Sequence, residues 1–317
     1  MVGMEVITAT APVRVGDVGG WTDTWFAAEG AVANVAVGPG ARVAVRRRDD
    51  GAVAITAPQV ADTGLLRHAV DHAGVMGVDV HVSAAVPPGS SLGTSAAVLV
   101  ALVAALAAVD GETLAPDEAA RRAHHVETAV AGRESGVQDH VAAAHGGVSW
   151  IEVGPFPAWR RRPIAAPPGL AERLVTVHLG GAHDSSALHR AVIERAEAGD
   201  GHVHRVLGEL VALAGVAADR LRAGDLDGWG ATLTAATEAQ ARLHPALVGE
   251  GARAVGAAAM AHGAVGWKVN GAGGPGGSVT LVAPEDPAAR AALLAALPPT
   301  ATVLALTPSP GLAVTAG

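Results

Sequence analysis

Between a strand-like alternation, Val80-His81-Val82-Ser83-Ala84-Ala85-Val86, and an apolar run from Val98 to Val109 lies Pro87-Pro88-Gly89-Ser90-Ser91-Leu92-Gly93-Thr94-Ser95-Ala96-Ala97. Strand, Gly/Ser loop and helix in that order form an anion site. Glycines let backbone N–H groups approach closely, and the unpaired N–H groups and dipole of the helix start face the negative charge. Ser90, Ser91, Thr94 and Ser95 add hydroxyls for phosphate or for a magnesium ion. The common phosphate loops do not fit. A Walker A loop needs Gly-Lys followed by Ser or Thr, whereas the single lysine here, Lys268, precedes Val269. The His-Arg-Asp and Asp-Phe-Gly triplets of protein kinases do not occur. The segment is expected to be a phosphate cradle without a lysine of its own; the plainer alternative is a capped helix after a loop.

At 317 residues the chain exceeds the size at which one core usually stops growing, so two domains are expected. The absence of cysteine excludes a disulfide scaffold and a thiolate metal site, and fits a reducing cytoplasm. A net charge of −8 argues against nucleic acid as partner, since a nucleic-acid binder shows a basic face. Arg46-Arg47-Arg48 is offset by Asp49 and Asp50, and Arg160-Arg161-Arg162 before Pro163 reads as a solvated loop. The N-terminus lacks the basic region and apolar core of a signal peptide. The apolar run from Ala96 to Val109 is too short to span a bilayer. No membrane association is expected.

Periodicity predicts strands near 5–10, 32–37, 41–47, 52–56, 79–86 and 148–153, and helices at 65–73, 95–109, 116–130 and 137–144. A Pro- and Arg-rich stretch, 154–169, reads as a linker. Beyond it strands are expected near 174–179, 265–270, 278–283 and 301–306. Helices are expected at 185–198, 202–223, 226–243, 246–262 and 286–296. Mixed order of this kind implies α+β layers, with domains at 1–160 and 161–317. Gly271, Gly273 and Gly276 spell the GxGxxG of a dinucleotide fold, but the glycines precede a strand instead of opening a helix. They read as a tight loop between two strands, close to a ligand or to another backbone.

Three further segments stand beside the Gly/Ser loop: Ala11-Pro12-Val13-Arg14-Val15-Gly16-Asp17-Val18-Gly19-Gly20-Trp21-Thr22-Asp23; Glu127 with the run from Gly132 to Gly147; and Lys268 to Ser278. Together, in this order, the four resemble the GHMP kinases, the family of galactokinase, homoserine kinase and mevalonate kinase. Gly19-Gly20-x-Thr22-Asp23 and Gly136-x-Gln138-Asp139 resemble the sugar-kinase branch, above all kinases of D-glycero-D-manno-heptose 7-phosphate. The resemblance implies an N-terminal domain like the second domain of ribosomal protein S5 and a ferredoxin-like C-terminal domain. It also implies transfer of the ATP γ-phosphoryl group to a sugar or sugar-phosphate hydroxyl, the C1 hydroxyl being expected. Other acceptors of the same fold, in galactokinase, fucokinase, isoprenoid or amino-alcohol kinases, remain alternatives, as does a nucleotide-binding module without catalysis.

On this resemblance Asp139 is the catalytic carboxylate and Arg14 its partner. The nucleotide loop comprises Pro88, Gly89, Ser90, Ser91, Leu92, Gly93, Thr94 and Ser95. Gly20, Trp21, Thr22, Asp23, Gly136, Gly271 and Gly273 are substrate residues, and Ser95 and Glu127 hold magnesium. A base within reach of the attacking hydroxyl and a guanidinium beside it suit phosphoryl transfer. Asp139 has the alternative role of helix cap, Glu127 that of a solvated helix face; Glu134 competes for the metal, and Asp17 reads as a loop residue. The chain departs from the pattern at His140, where glutamine is usual, and at Pro275. It departs again at Gly180-Gly181-Ala182-His183-Asp184-Ser185, which lacks an arginine suited to a substrate phosphate.

Overall fold

The structure, a computed structural model, describes residues 6–27, 29–60, 62–180 and 186–317, with nothing to be said of the side chain of Ser186. The expected substitution of His183 and Asp184 for an arginine lies outside these residues.

The chain opens with two long antiparallel strands, β1 (Val6–Val18) and β2 (Gly30–Arg47), followed by β3 (Val53–Thr56), α1 (Thr63–Ala73) and β4 (Val78–Ala84). Next come α2 (Thr94–Val109), α3 (Pro116–His125), a π-helical turn at Val126–Val130, α4 (Gln138–His145), β5 (Val148–Val153) and β6 (Trp159–Ile164). The second half holds α5 (Leu170–Arg173), β7 (Leu174–His178), α6 (Ser186–Glu197), α7 (Gly201–Ala223), α8 (Leu226–Leu243), a 3₁₀ turn at Pro245–Leu247 and α9 (Glu250–Ala261). It closes with β8 (Gly266–Val269), β9 (Ser278–Val282), α10 (Pro287–Ala295), β10 (Thr302–Leu304), β11 (Thr307–Pro308) and β12 (Ala313–Ala316).

These strands form two sheets. One has the path β12-β1-β2-β4-β3, with β11 and β5 on β2 and β6 on β5; the other has the order β10-β7-β9-β8. Numbered by appearance, the second sheet runs 4-1-3-2, the order of a ferredoxin-like sheet. The fold is α+β, as expected. The last two strands return to the first sheet: β12 lies against Ile7–Thr10 and β11 against Val37 and Gly38.

Several local features differ from the sequence expectation; β1, expected over 5–10, runs on to Val18, and β11 and β12 were not expected. The strands expected at 32–37 and 41–47 are one strand, because Gly38-Pro39-Gly40 bulges opposite Pro12 without breaking the pairing on either side. A Cβ on Gly40 would come within 2.3 Å of the Ala11 carbonyl oxygen, so glycine is what permits this approach. The expected linker at 154–169 contains β6, and the arginines read as a solvated loop lie on it. As an edge strand it keeps Arg160 and Arg162 in solvent, Arg162 pairing across the ladder with Glu152, while Arg161 is half-buried and donates to Ser149 Oγ and the Gly146 carbonyl. Helix α2 is apolar all round, and it is buried all round from Ala96 to Leu106. It packs against β1 and β2 on one side and α1, α3 and α4 on the others. Among the described residues no helix is long and apolar enough to cross a membrane.

Candidate active site

The site forms where the N-terminus of α2, the N-terminus of α4, the bulged end of β1 and the β8–β9 loop meet. Arg14, on β1, is almost fully buried. Its Nε and Nη2 donate to the two oxygens of Asp139 at 2.8 and 3.2 Å, while Nη1 donates to the carbonyl of Ser91. Its backbone N–H donates to the carbonyl of Leu92. One guanidinium therefore ties the Gly/Ser loop to the candidate base in a bidentate geometry. Burial works against the charge on Arg14, but Asp139 foremost, with Asp17 and Asp23, keeps it firmly protonated.

Asp139 stands in the first turn of α4, but the N-cap is Val137 and no side chain caps this helix end from that position. The cap role expected as an alternative falls instead to Asp23, whose Oδ2 accepts from the backbone N–H of Gln138 at 2.9 Å. Asp23 is 3% exposed, and burial foremost raises its pKa to about 6, with the charge of Asp139 adding to the rise against the Gln138 hydrogen bond. A Cβ on Gly136 would fall 2.2 Å from Asp23 Oδ2, so only glycine lets this carboxylate reach the start of α4.

The Gly/Ser loop is anchored by main-chain contacts. Ser278 Oγ donates to the Ser90 carbonyl at 2.6 Å, Asn270 Nδ2 donates to Ser278 Oγ, and Asn270 Oδ1 accepts from Gly16 N–H and Thr280 Oγ1. Leu92 is fully buried and serves packing. Gly93 has φ +74° and begins α2, and a Cβ there would lie 2.9 Å from the Asp139 carboxyl carbon. The sequence reading reserves Gly93 for the approach of a phosphate; the neighbour the structure shows against its Cα is the Asp139 side chain. Pro88, Gly89, Thr94 and Ser95 line a cavity of about 210 Å³ with Asp62 and Arg133, and the latter two form an ion pair.

Glu127 lies on the π-helical turn, which shifts the helical register by one residue. It is 6% exposed, so the expected alternative of a solvated face does not hold. Its Oε1 accepts from Ser95 Oγ at 2.9 Å, and Oε2 is 3.1 Å from His140 Nε2. Burial pushes this carboxyl up, but His140, Ser95 and Ser135 outweigh it and hold it well below the usual carboxylate range. A hydroxyl and an ionised carboxylate side by side fit magnesium, which takes few protein ligands and completes its shell with water and phosphate oxygens. Among the described residues no group of three or more His, Cys, Asp or Glu could hold a metal. Glu134, the competing carboxylate, lines the neighbouring cleft instead.

That cleft, of about 200 Å³, is walled by Arg14, Asp17, Gly20, Trp21, Asp23 and Asp139, among others, and also by Gly136 and Gly271. Trp21 takes φ 79°, a strained setting for a non-glycine residue, and its ring meets His189 edge-on at 5.0 Å between centroids. Two expected substrate residues stand elsewhere. Thr22 is buried, its hydroxyl donating to the Gly19 carbonyl at 2.7 Å and accepting from Ala31 N–H, so it locks the backbone. Gly273 packs on the 3₁₀ turn, where a Cβ would meet the Leu247 carbonyl at 2.0 Å.

Sequence reasoning missed Asp17, Gln138, His140, Asn270 and Ser278. Asn270 and Ser278 were inside a motif read for its glycines. Asp17 is not on a loop but on β1, fully buried, its Oδ1 accepting from Gly271 N–H at 3.0 Å.

The chain is similar to known proteins in part of its sequence and in its fold. Residues 62–147, which carry the Gly/Ser loop, Glu127 and Asp139, match the family described as GHMP kinases N terminal domain. The chain is 40% identical over 80 residues to a mevalonate kinase of Thermococcus sibiricus, a match spanning 25% of this chain and 24% of that relative. Over essentially its whole length it superposes on solved structures of low identity. One is a D-glycero-D-manno-heptose 1-phosphate kinase from Bacteriodes thetaiotaomicron (TM-score 0.75, 18% identity, 98% of each chain). Another is Lactococcus lactis galactokinase complexed with galactose (TM-score 0.78, 16% identity, 97% of this chain and 95% of that one). The chain has the GHMP kinase fold, and residues 62–147 match the N-terminal domain of that family.

Proposed function

We propose that the protein is an ATP-dependent kinase that phosphorylates a hydroxyl of a sugar, with division near residue 160 between a nucleotide-loop half and a ferredoxin-like half. The observation that carries this reading is the Arg14 guanidinium, which grips both Asp139 oxygens and the Ser91 carbonyl. It holds the Asp139 carboxylate in the wall of the cleft that Asp23 also lines.

Within this reading the backbone of Pro88–Ser95 cradles the nucleotide phosphates at the start of α2. Ser95 and Glu127 hold the metal. ATP supplies the phosphoryl group, and magnesium offsets the charge of the phosphates. Asp139 orients the acceptor hydroxyl and takes its proton; Arg14 holds Asp139 in position and opposes charge on the transferring group. Asp23 and the Gly20–Trp21 turn hold the acceptor. The carboxylate-rich wall favours a polyol over an isoprenoid acid, although mevalonate kinases are among the relatives that about a quarter of the chain matches. The motifs point to the anomeric hydroxyl of a heptose 7-phosphate or a related sugar.

A screen coupled to ADP release, over hexoses, heptoses, their phosphates and mevalonate, tests the reading. ADP release with a sugar, reduced by about 10²–10⁴ in Asp139→Asn, is the expected result. Turnover of mevalonate alone would overturn the acceptor class, and near-normal turnover by Asp139→Asn would overturn the mechanism.

A further inference from the structure

Asp17 is the buried carboxylate that the reaction above leaves unused. Along β1 and β2, Val15 faces Val35 while Val18 faces Ala33, so β1 spends one residue more than β2 between these pairs. This bulge, with Gly16 at φ +61°, interrupts the alternation of the strand and re-aims Asp17. The carboxylate is held on one side, where Oδ1 accepts from Gly271 N–H. Oδ2 is fully buried and has no hydrogen-bond partner. A buried carboxylate oxygen without a donor is costly, and such atoms in a cleft mark the place of a ligand group.

Asp17 lines the cleft, and the bare Cα of Gly20 opens toward it: a Cβ there would lie 2.8 Å from Asp17 Oδ2 and 3.3 Å from Gln138 Nε2. The same wall carries an orphan donor, Trp21 Nε1. A hydroxyl can satisfy both kinds of group, since it donates and accepts. Charge narrows the ligand further. Among the described residues lining the cleft, the carboxylates Asp17, Asp23, Glu134 and Asp139 face one guanidinium, Arg14, which is already paired with Asp139. Trp21, Trp25 and Phe26 also line it, three of the chain's Trp and Phe rings, which number six and two. Apolar ring faces beside hydroxyl acceptors suit a sugar ring; a phosphate or carboxylate there would face several like charges.

We propose that Asp17 is an acceptor-binding residue, whose free oxygen takes a hydrogen bond from a hydroxyl of an uncharged sugar, and that with Asp23 and Glu134 it turns away acceptors bearing a phosphate or carboxylate. This rests on the phosphotransfer reading and deepens it: the acceptor is the unphosphorylated sugar in preference to the heptose 7-phosphate the motifs suggest.

The test compares a free heptose or hexose with its terminal phosphate, by ADP release and by calorimetric binding, in the wild type, Asp17→Asn and Gly20→Ala. The wild type is expected to favour the free sugar at least about tenfold in kcat/KM. Asp17→Asn keeps the Gly271 contact but weakens the acceptor, so KM for the free sugar is expected to rise about tenfold with KM for ATP unchanged. The preference over the phosphate is expected to narrow. Gly20→Ala, which covers Oδ2, is expected to raise the same KM and guards against a folding defect in Asp17→Asn. A wild type that prefers the phosphorylated sugar, or variants whose acceptor KM stays at the wild-type value, would overturn the assignment. Sugar binding lost in both variants but without ADP release in the wild type would sustain Asp17 and defeat the phosphotransfer reading instead.

Discussion

Single residues set the chemistry through what surrounds them. Arg14 and Asp139 form one unit, because the bidentate contact holds each in position against the other. Arg14→Ala is expected to lower kcat much as Asp139→Asn does, and the double variant to lose less than the product of the two losses. Full multiplicativity in single-turnover kinetics would mean that the pair acts independently. Asp23 makes a pH prediction. Its folded pKa of about 6 lies above the ordinary 3.8, so the native state binds the proton more tightly than the unfolded chain between these values. The associated stability is present below pH 3.8 and is lost as pH rises through about 6. At pH 8 the ionised carboxylate costs the fold roughly 3 kcal/mol at 1.36 kcal/mol per pKa unit, so Asp23→Asn is expected to raise Tm there and have little effect at pH 4. The same variant is expected to weaken acceptor binding, since the ionised carboxylate is the better acceptor of a hydroxyl. Equal Tm changes at both pH values would contradict this account.

At the scale of elements, helix starts do the positioning. The α2 and α4 N-termini converge because Gly93 has no side chain to hold them apart. Gly93→Ala combines a positive φ with a Cβ 2.9 Å from the Asp139 carboxyl carbon. It is expected to cost about 1–2 kcal/mol of stability from backbone strain and to lower kcat by displacing the base. Urea unfolding and kcat on one preparation measure both. A folded variant with normal kcat would show that the convergence is dispensable. The π-helical turn works alike on the other side of Ser95, carrying Glu127 inward against the hydroxyl. Glu127→Gln keeps the shape and removes the charge, so the magnesium concentration for half-maximal rate is expected to rise well beyond the wild-type value. An unchanged magnesium titration would remove Glu127 as a ligand.

For the whole molecule, the two sheets are joined by a buried polar chain and not by apolar packing alone. Asn270, at the end of β8, accepts from Gly16 of β1 and passes contacts through Ser278 to the Ser90 carbonyl. Asn270→Ala leaves the Gly16 N–H with Thr280 Oγ1 at 3.2 Å and deprives Ser278 Oγ of its donor. A loss of about 1–3 kcal/mol is expected, with a rise in KM for ATP as the loop loosens. Lost stability without a change in KM for ATP would confine the chain to architecture.

Much of the fold was legible because periodicity is a local property: the apolar run of α2, the alternation of β4 and the glycine loop between β8 and β9 each follow from neighbouring residues. The candidate site residues Arg14, Ser95, Glu127 and Asp139 were picked out by the resemblance of their motifs to a known family, not by local periodicity. What the sequence left open depends on residues far apart in the chain. Strands β11 and β12 are too short to signal themselves and exist through pairing with β2 and β1. Asp23 and Thr22 are adjacent, yet one lines the cleft and the other locks the backbone, because the Gly19 and Ala31 carbonyls claim the threonine hydroxyl. Asp17 read as a loop residue because the first strand was expected to end near residue 10; pairing with β2 carries it to Val18 and creates the bulge. By itself the sequence determined which groups the protein brings to its site. The tertiary structure decided which of them are buried, paired or left without a partner, because burial and hydrogen bonding are settled by the elements that close over a residue and not by its neighbours in the chain.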